Sequence, residues 1–200
     1  MNTKENKESL FKQMYVTQTL GFIDISKKRP FWSELANELN GIFKIKQTIS
    51  KDLELLFLQI PYQEFNIEFT ESDTHPLKIN CIIKIKQKIE FSLTYEDSIE
   101  KLFKLFGKQD INLKDDVFDK KYLIQGQNTE IIKNILSITN IKNILLKNNV
   151  FSFMSTYQKK ESTIILTSLV SRTINSKSEL LDLYKLFCLT IDKLKELEYI

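Results

Sequence analysis

The stretch LELLFLQIPYQEFNIEFTESDTHPLKINCIIKIKQKIEFSLT, residues 53–94, decides the fold class. Phe65, Ile67 and Phe69 alternate with Asn66, Glu68 and Thr70. That period of two turns one side of a strand to a core and the other to water. Ile79, Cys81, Ile83 and Ile85 alternate with Asn80, Ile82, Lys84 and Lys86, and Ile89, Phe91 and Leu93 alternate with Glu90, Ser92 and Thr94. Residues 53–60 are apolar on both faces, which predicts a strand placed centrally in a sheet. Pro61-Tyr62 and residues 72–76 supply the turns. Connections this short leave no room for helical crossovers, so these strands are expected to form an antiparallel meander.

Outward from this stretch the period changes. Before it, residues 42–45 read as a further strand. Arg29-Pro30 opens a helix, since proline suits a first helical turn. Phe31, Trp32, Leu35, Ala36 and Leu39 form its stripe, and Gly41 stands where a left-handed residue would end it. Leu10, Phe11, Met14 and Tyr15 predict a short helix nearer the N-terminus. After the meander, Asp97 and Glu100 resemble a capping box, Ile99, Leu102, Phe103 and Phe106 make a stripe, and Gly107 ends it.

A polar loop over residues 108–116 then marks the expected boundary between an N-terminal half, 1–108, and a second α+β half, 109–200, packed as one globular unit. The second half reads strand (122–124), helix (130–136), helix (141–146), strand (150–154), strand (163–170) and helix (179–199). In the last helix Ser176 and Glu179 form a capping box. Leu180, Tyr184, Phe187, Ile191 and Leu194 line its apolar face, widened by Leu181, Leu183 and Cys188. The whole is an α+β fold: an antiparallel meander covered by helices, with a long C-terminal amphipathic helix.

Composition narrows the function. The 200 residues hold 29 basic and 26 acidic side chains, for a net charge of +3, and 14 Phe and 7 Tyr supply ample core. Such a balanced surface lacks the one-signed field of a nucleic-acid binder. Only Arg29 and Arg172 offer the planar fork that suits phosphate, which argues against nucleic acid and against a phosphate-clamping enzyme. The wealth of Ile, Lys, Asn and Phe also carries the stamp of an AT-rich genome. No window is apolar enough for a membrane span, and MNTKENKES is followed by no continuous apolar run, so no secretory signal is read. Cys81 and Cys188 lie far apart at no metal-ligand spacing; they could form one disulfide, but each lies on an apolar stretch, which favours buried reduced thiols in a reducing cytoplasm.

Chemistry-bearing residues are few. His75 is the single histidine. As a general base it would need an orienting carboxylate, and Glu71 and Asp73 are the nearest in sequence. Its turn context favours an exposed loop imidazole. Asp110, Asn112, Asp115, Asp116 and Asp119 are the densest acidic group, yet they lack the glycine and terminal glutamate of a calcium loop. Lys114, Lys120 and Lys121 neutralise them, so a solvated, capped loop is the expectation. Lys44, Lys46, Lys84, Lys86 and Lys88 could form a basic sheet face. The aromatics Phe65, Phe69 and Phe91 fall on the opposite parity, where they cannot stack bases beside those lysines. Glu68 and Glu90 share the lysine parity, which points to a mixed-charge solvent face. The echo of IFKIKQ (42–47) in IIKIKQ (82–87) reads as coincident lysine–isoleucine alternation. No Gly-x-Ser-x-Gly elbow and no glycine-rich phosphate loop occurs.

Two segments carry a resemblance. Phe31-Trp32-Ser33-Glu34-Leu35-Ala36 precedes a short strand. Gly107-Lys108-Gln109-Asp110-Ile111 leads to Phe118-Asp119-Lys120-Lys121-Tyr122 and then to a helix carrying Ile135-Leu136. The chain resembles a group of uncharacterised bacterial proteins with a tryptophan-bearing helix, a meander, a Gly-x-x-Asp-Ile segment and a Phe-Asp-x-x-Tyr strand. The resemblance implies an α+β fold and supplies no activity. In its own right, Phe118 and Tyr122 can anchor a strand start while Asp119 accepts backbone N–H groups at the turn.

The leading reading is a non-enzymatic cytoplasmic binding protein of the immunity, chaperone or accessory kind, with another protein as partner and no catalytic, cofactor-binding or metal residue assigned. An exposed sheet edge or a sheet–helix groove would serve it. Two alternatives stand: a small-molecule or lipid binder in a groove between sheet and helix, and a carboxylate- or lysine-dependent enzyme in which Asp115, Asp119 or His75 converges with another titratable group.

Overall fold

The computed structural model describes residues 25–47, 54–72, 74–95 and 109–200. Among these, nine strands form one antiparallel sheet: β1 Ile42–Gln47, β2 Glu54–Tyr62, β3 Phe65–Ser72, β4 His75–Lys84, β5 Phe91–Tyr95, β6 Gln109–Asp110, β7 Tyr122–Gly126, β8 Val150–Gln158 and β9 Thr163–Val170. Five α-helices accompany them: α1 Arg29–Glu38, α2 Asp116–Lys121, α3 Thr129–Leu136, α4 Thr139–Lys147 and α5 Lys177–Glu196. This is the α+β meander covered by helices that the alternation predicts. The helices expected at 10–15 and 97–106 lie outside the described residues, as do Gly21 and Gly107.

The order across the sheet is β1-β2-β3-β4-β9-β8-β5-β7-β6. The meander therefore holds four strands, not five. Between β4 and β5 the β8–β9 hairpin inserts, with β4 paired to β9 and β5 paired to β8 and β7. The short link over 85–90 suggested a hairpin, but long-range pairing took precedence. Strands from both sides of residue 108 thus alternate within one sheet. Strand β2, expected at the centre, lies second from an edge. Only its Leu56, Leu58 and Ile60 side is fully buried; Leu55 and Phe57 are half-buried on the other side. Strand β4 begins at His75, so Pro76 falls inside it. Proline is tolerated at a strand start, and a register shift between Thr70 and Ser72 accommodates it.

The five described helices pack on one face, which we call inward. Trp32 of α1 meets Phe69 with ring centroids 6.4 Å apart. Phe187 of α5 stands edge-on to Phe153, 5.8 Å away. Leu145 of α4 accepts at its carbonyl from the Tyr122 hydroxyl at 2.9 Å. A Cβ on Gly126 would collide with Ile132 of α3, so glycine lets that helix sit directly on β7.

Local signals explain the helix ends. Pro30 lies in the first turn of α1. Asn40, and not Gly41, takes the left-handed backbone at its end, with φ 53°. Gly41 then donates its N–H to the Ala36 carbonyl at 2.7 Å. What demands glycine there is closeness: a Cβ would stand 2.7 Å from the Gln59 carbonyl oxygen. Helix α5 starts with the expected reciprocal box of Ser176 and Glu179. Helix α2 was not foreseen. Asp115 caps it by accepting from the Phe118 N–H at 3.2 Å, and Asp119 accepts from Leu113 N at 3.1 Å and Asp115 N at 2.9 Å. Phe118 and Tyr122 are buried, as their anchoring role requires.

Candidate interaction surface

Side chains able to do chemistry are occupied with structure. His75 is exposed in the β3–β4 turn, its Nδ1 3.1 Å from Ser72 Oγ and 2.9 Å from Thr74 Oγ1. Ser72 Oγ also accepts from the His75 backbone N–H at 3.1 Å, which closes the turn. Glu71 is opposite Leu56 on the inward face, and Ser72 is opposite Leu55 on the outward face. Glu71 is engaged there by Lys28, and Asp73 lies outside the described residues.

Most of the acidic group is engaged in local hydrogen bonds and an ion pair. Asp115 binds Lys142, Asp119 holds two backbone N–H groups, Asn112 accepts from Lys114 N at 2.7 Å, and Asp110 accepts from Gln125 Nε2 at 2.9 Å. Among the described residues no three His, Cys, Asp or Glu side chains gather in a metal-binding arrangement. Cys81 on β4 and Cys188 on α5 are buried free thiols, and burial pushes each up to about 12. Thiols so far from ionising are poor nucleophiles at neutral pH.

One inward feature was not legible in the sequence. Lys28 is 3% exposed and pairs with fully enclosed Glu71. Among the described residues, buried Glu71 Oε2 and Trp32 Nε1 have no hydrogen-bond partner. Burial raises the Glu71 carboxyl above the ordinary carboxylate range, and the adjacent Lys28 ammonium only partly offsets this.

The outward face has a different composition. One cross-strand row runs through every strand: Ile42, Gln59, Glu68, Asn80, Thr167, Met154, Ser92, Gln125 and Asp110. Three neighbouring pairs within it are hydrogen-bonded through their side chains. Gln59 Nε2 donates to Glu68 at 3.4 Å, Thr167 Oγ1 to Asn80 at 3.0 Å, and Gln125 Nε2 to Asp110 at 2.9 Å. Over β5, β7 and β8 this face is buried at Ser92, Thr94, Gln125, Ser152 and Met154. Over the meander it is more open: Ser72 is buried and Phe57, Glu68 and Asn80 are half-buried, but other positions reach water. Ile82 is 61% exposed and Ile42 50%, with Lys44, Lys46 and Lys84 exposed around them.

The five lysines of interest do not converge. Lys84 ends β4, three strands from β1. Lys86 Nζ donates to the Ile200 carbonyl at 3.0 Å, and Lys88 pairs with Glu90 at 2.9 Å. Only Lys44 and Lys46 share a strand. Among the described residues β1 has a neighbour on one side only, and every residue of it except Phe43 is exposed. Lys46 Nζ lies 3.8 Å from the centre of the Phe57 ring, laying its stem over that half-buried aromatic.

No helix among the described residues is long and apolar enough to cross a membrane. No family model matches the chain, and no characterised protein sequence matches it. A solved structure does: the mycobacterial trehalose monomycolate transport factor A, TtfA. It is 8% identical, with a TM-score of 0.56 over 89% of this chain and 99% of that one. At that identity the likeness shows a shared fold.

Proposed function

We propose that this chain is a non-enzymatic accessory protein that acts through protein–protein contacts on the open part of its outward sheet face. The observation that carries the reading is the contrast in use of side chains. Asp115, Asp119, Glu71, His75 and both thiols are engaged in caps, an ion pair, a turn and the core, while Ile42 and Ile82 are exposed on one sheet face, Ile42 on the strand of Lys44 and Ile82 on that of Lys84. Large exposed aliphatics with a polar surround are what a partner surface presents. The fold shared with a transport factor fits an accessory role, as does the weak metal and nucleophile inventory.

The test is a photo-crosslinking side chain placed at Ile42, Ile82 or, as control, Glu130 of α3. Ile42 and Ile82 should each join the same host protein, and that protein should co-purify with the unmodified chain in fixed ratio. Equal capture at Glu130, or no capture at either isoleucine, would overturn the reading.

A second reading, a small-molecule or lipid binder in a groove between sheet and helix, is favoured by one observation: the structural neighbour is a trehalose monomycolate transport factor. Native mass spectrometry separates the two. A lipid mass retained on the purified chain supports the second reading, and a bare chain supports the first.

A further inference from the structure

We infer that the free edge of β1 takes an extended, acidic segment of a partner protein as a tenth strand of the sheet. This rests on the protein-binding reading above and deepens it by naming the site and the chemistry of the segment.

An edge strand carries unpaired backbone N–H and C=O groups, which pair readily with another extended chain. The two ends of this sheet are unequal. Strand β6 has two residues, Gln109–Asp110, whereas β1 runs from Ile42 to Gln47. Among the described residues β1 is the edge long enough to hold several ladder bonds. Its side chains divide by face. Phe43 and Ile45 lie on the inward side with Leu58 and Leu56, and Ile45 is still 40% exposed. Ile42, Lys44 and Lys46 lie on the outward side with Gln59, Phe57 and Leu55. No carboxylate stands on β1, nor beside these lysines on the outward side of β2. Glu54, at the far end of β2, is on the inward side and held by Arg29.

The charge pattern selects the occupant. A second copy of this chain would pair β1 with β1 about a two-fold axis through the sheet, with faces preserved. The registers that overlap most of the strand then set Lys44 opposite Lys44, or Lys44 opposite Lys46. Like charges directly across a ladder are unfavourable. A strand bearing Asp or Glu on its outward parity meets the same lysines favourably, and apolar residues on its inward parity extend the cover over Ile45. The lysines thus do two things: they discourage self-association, as edge lysines commonly do, and they admit a segment of opposite charge.

The experiment uses the full chain and a fluorescein-labelled peptide in which Glu alternates with Val. Controls are the same peptide with alternate backbone amides N-methylated, a peptide alternating Lys with Val, and an oligouridylate. The Glu/Val peptide should bind and slow hydrogen exchange at the β1 amides. N-methylation should weaken it by about tenfold or more, because the ladder donors are gone. In the Lys44→Glu/Lys46→Glu variant the preference should reverse to the Lys/Val peptide. These side chains are exposed, so the variant should fold, which circular dichroism verifies. Absence of binding to the native chain, binding indifferent to N-methylation, or oligouridylate bound in place of peptide would each overturn the inference. Partner capture at Ile42 and Ile82 without peptide binding at β1 would remove this inference and leave the protein-binding reading standing.

Discussion

The two faces of the sheet differ by one residue of register. Inward, the row Phe43, Leu58, Phe69, Ile79, Ser168, Phe153, Leu93 and Ile124 crosses from β1 to β7 and is almost wholly apolar. Outward, the row beginning at Ile42 holds Gln59, Glu68, Asn80 and Thr167. Successive residues of each strand feed the two rows. A slip of one residue would place Glu68 and Asn80 beneath the helices and Phe69 and Ile79 toward water, so burial on one side fixes the pairing. The comparison teaches that the outward face was not left polar for want of apolar residues. Ile42, Leu55, Phe57, Ile82 and Ile165 stand on it together with Lys44, Lys46 and Lys84, so it mixes aliphatic and cationic side chains.

The sharpest way to break this comparison is to truncate one residue on each face. Phe153→Ala should cost about 3–5 kcal/mol, because it removes a buried ring packed on Phe91 and Phe187. Ile82→Ala should stay within about 0.5 kcal/mol. Urea unfolding of both variants decides it, and equal losses would mean that the outward face is covered.

The buried pair tests whether the inward face accepts charge only as a couple. Lys28→Met should destabilise by about 3–5 kcal/mol, since Glu71 is left buried and uncompensated. Lys28→Met with Glu71→Leu should recover most or all of that loss. If the double variant is as unstable as the single one, the pair contributes specific structure that packing cannot replace.

Acid titration sharpens the contrast between inner and rim carboxylates. Burial works to raise the Glu179 carboxyl, but the Asn175 N–H and the Arg172 guanidinium outweigh it and hold the group below the ordinary carboxylate range. A depressed folded-state value gives stability that is present above the unfolded carboxylate's pKa and lost as pH falls through the folded one. Glu71 is raised, so its sign is opposite: its contribution is fully present below the unfolded pKa and lost as pH rises through the folded value. Glu179→Gln should therefore flatten the acid limb of the stability profile, followed by circular dichroism below about pH 5. An unchanged limb would remove Glu179 from the account.

The smallest effect belongs to the outward face. Lys46→Met keeps the apolar stem over Phe57 and removes the charge, so stability should fall by about 0.5–1 kcal/mol if the cation adds to the packing. No change would assign the contact to the stem alone.

Strands β3, β4 and β9 and helix α5 were legible because each carries its own period or cap within a few residues: Phe65 to Thr70, Ile79 to Lys84, residues 163–170, and the Ser176–Glu179 box. The order of the strands was not, because the insertion of β8–β9 beside β4 depends on pairings such as Ile79 with Ser168, which no local pattern announces. Helix α2 escaped because Asp115 and Asp119 look like loop residues until their backbone partners are known. Of the candidate surface, the lysine–isoleucine alternation of β1 was visible, and its position at an edge was not. The burial of Lys28 with Glu71 was not legible for a plain reason: charged residues near a chain reversal ordinarily face water.

The interleaving of the strands has a consequence for biogenesis. The inner flank of β4 finds its permanent neighbour only when residue 163 onward has left the ribosome, and β5 also waits for the last hairpin. Until then the nascent polypeptide displays an unfinished ladder rich in isoleucine, the kind of intermediate that recruits holdases or clumps. Slowing elongation ahead of residue 150 would prolong that vulnerable interval, and the yield of folded protein would register it.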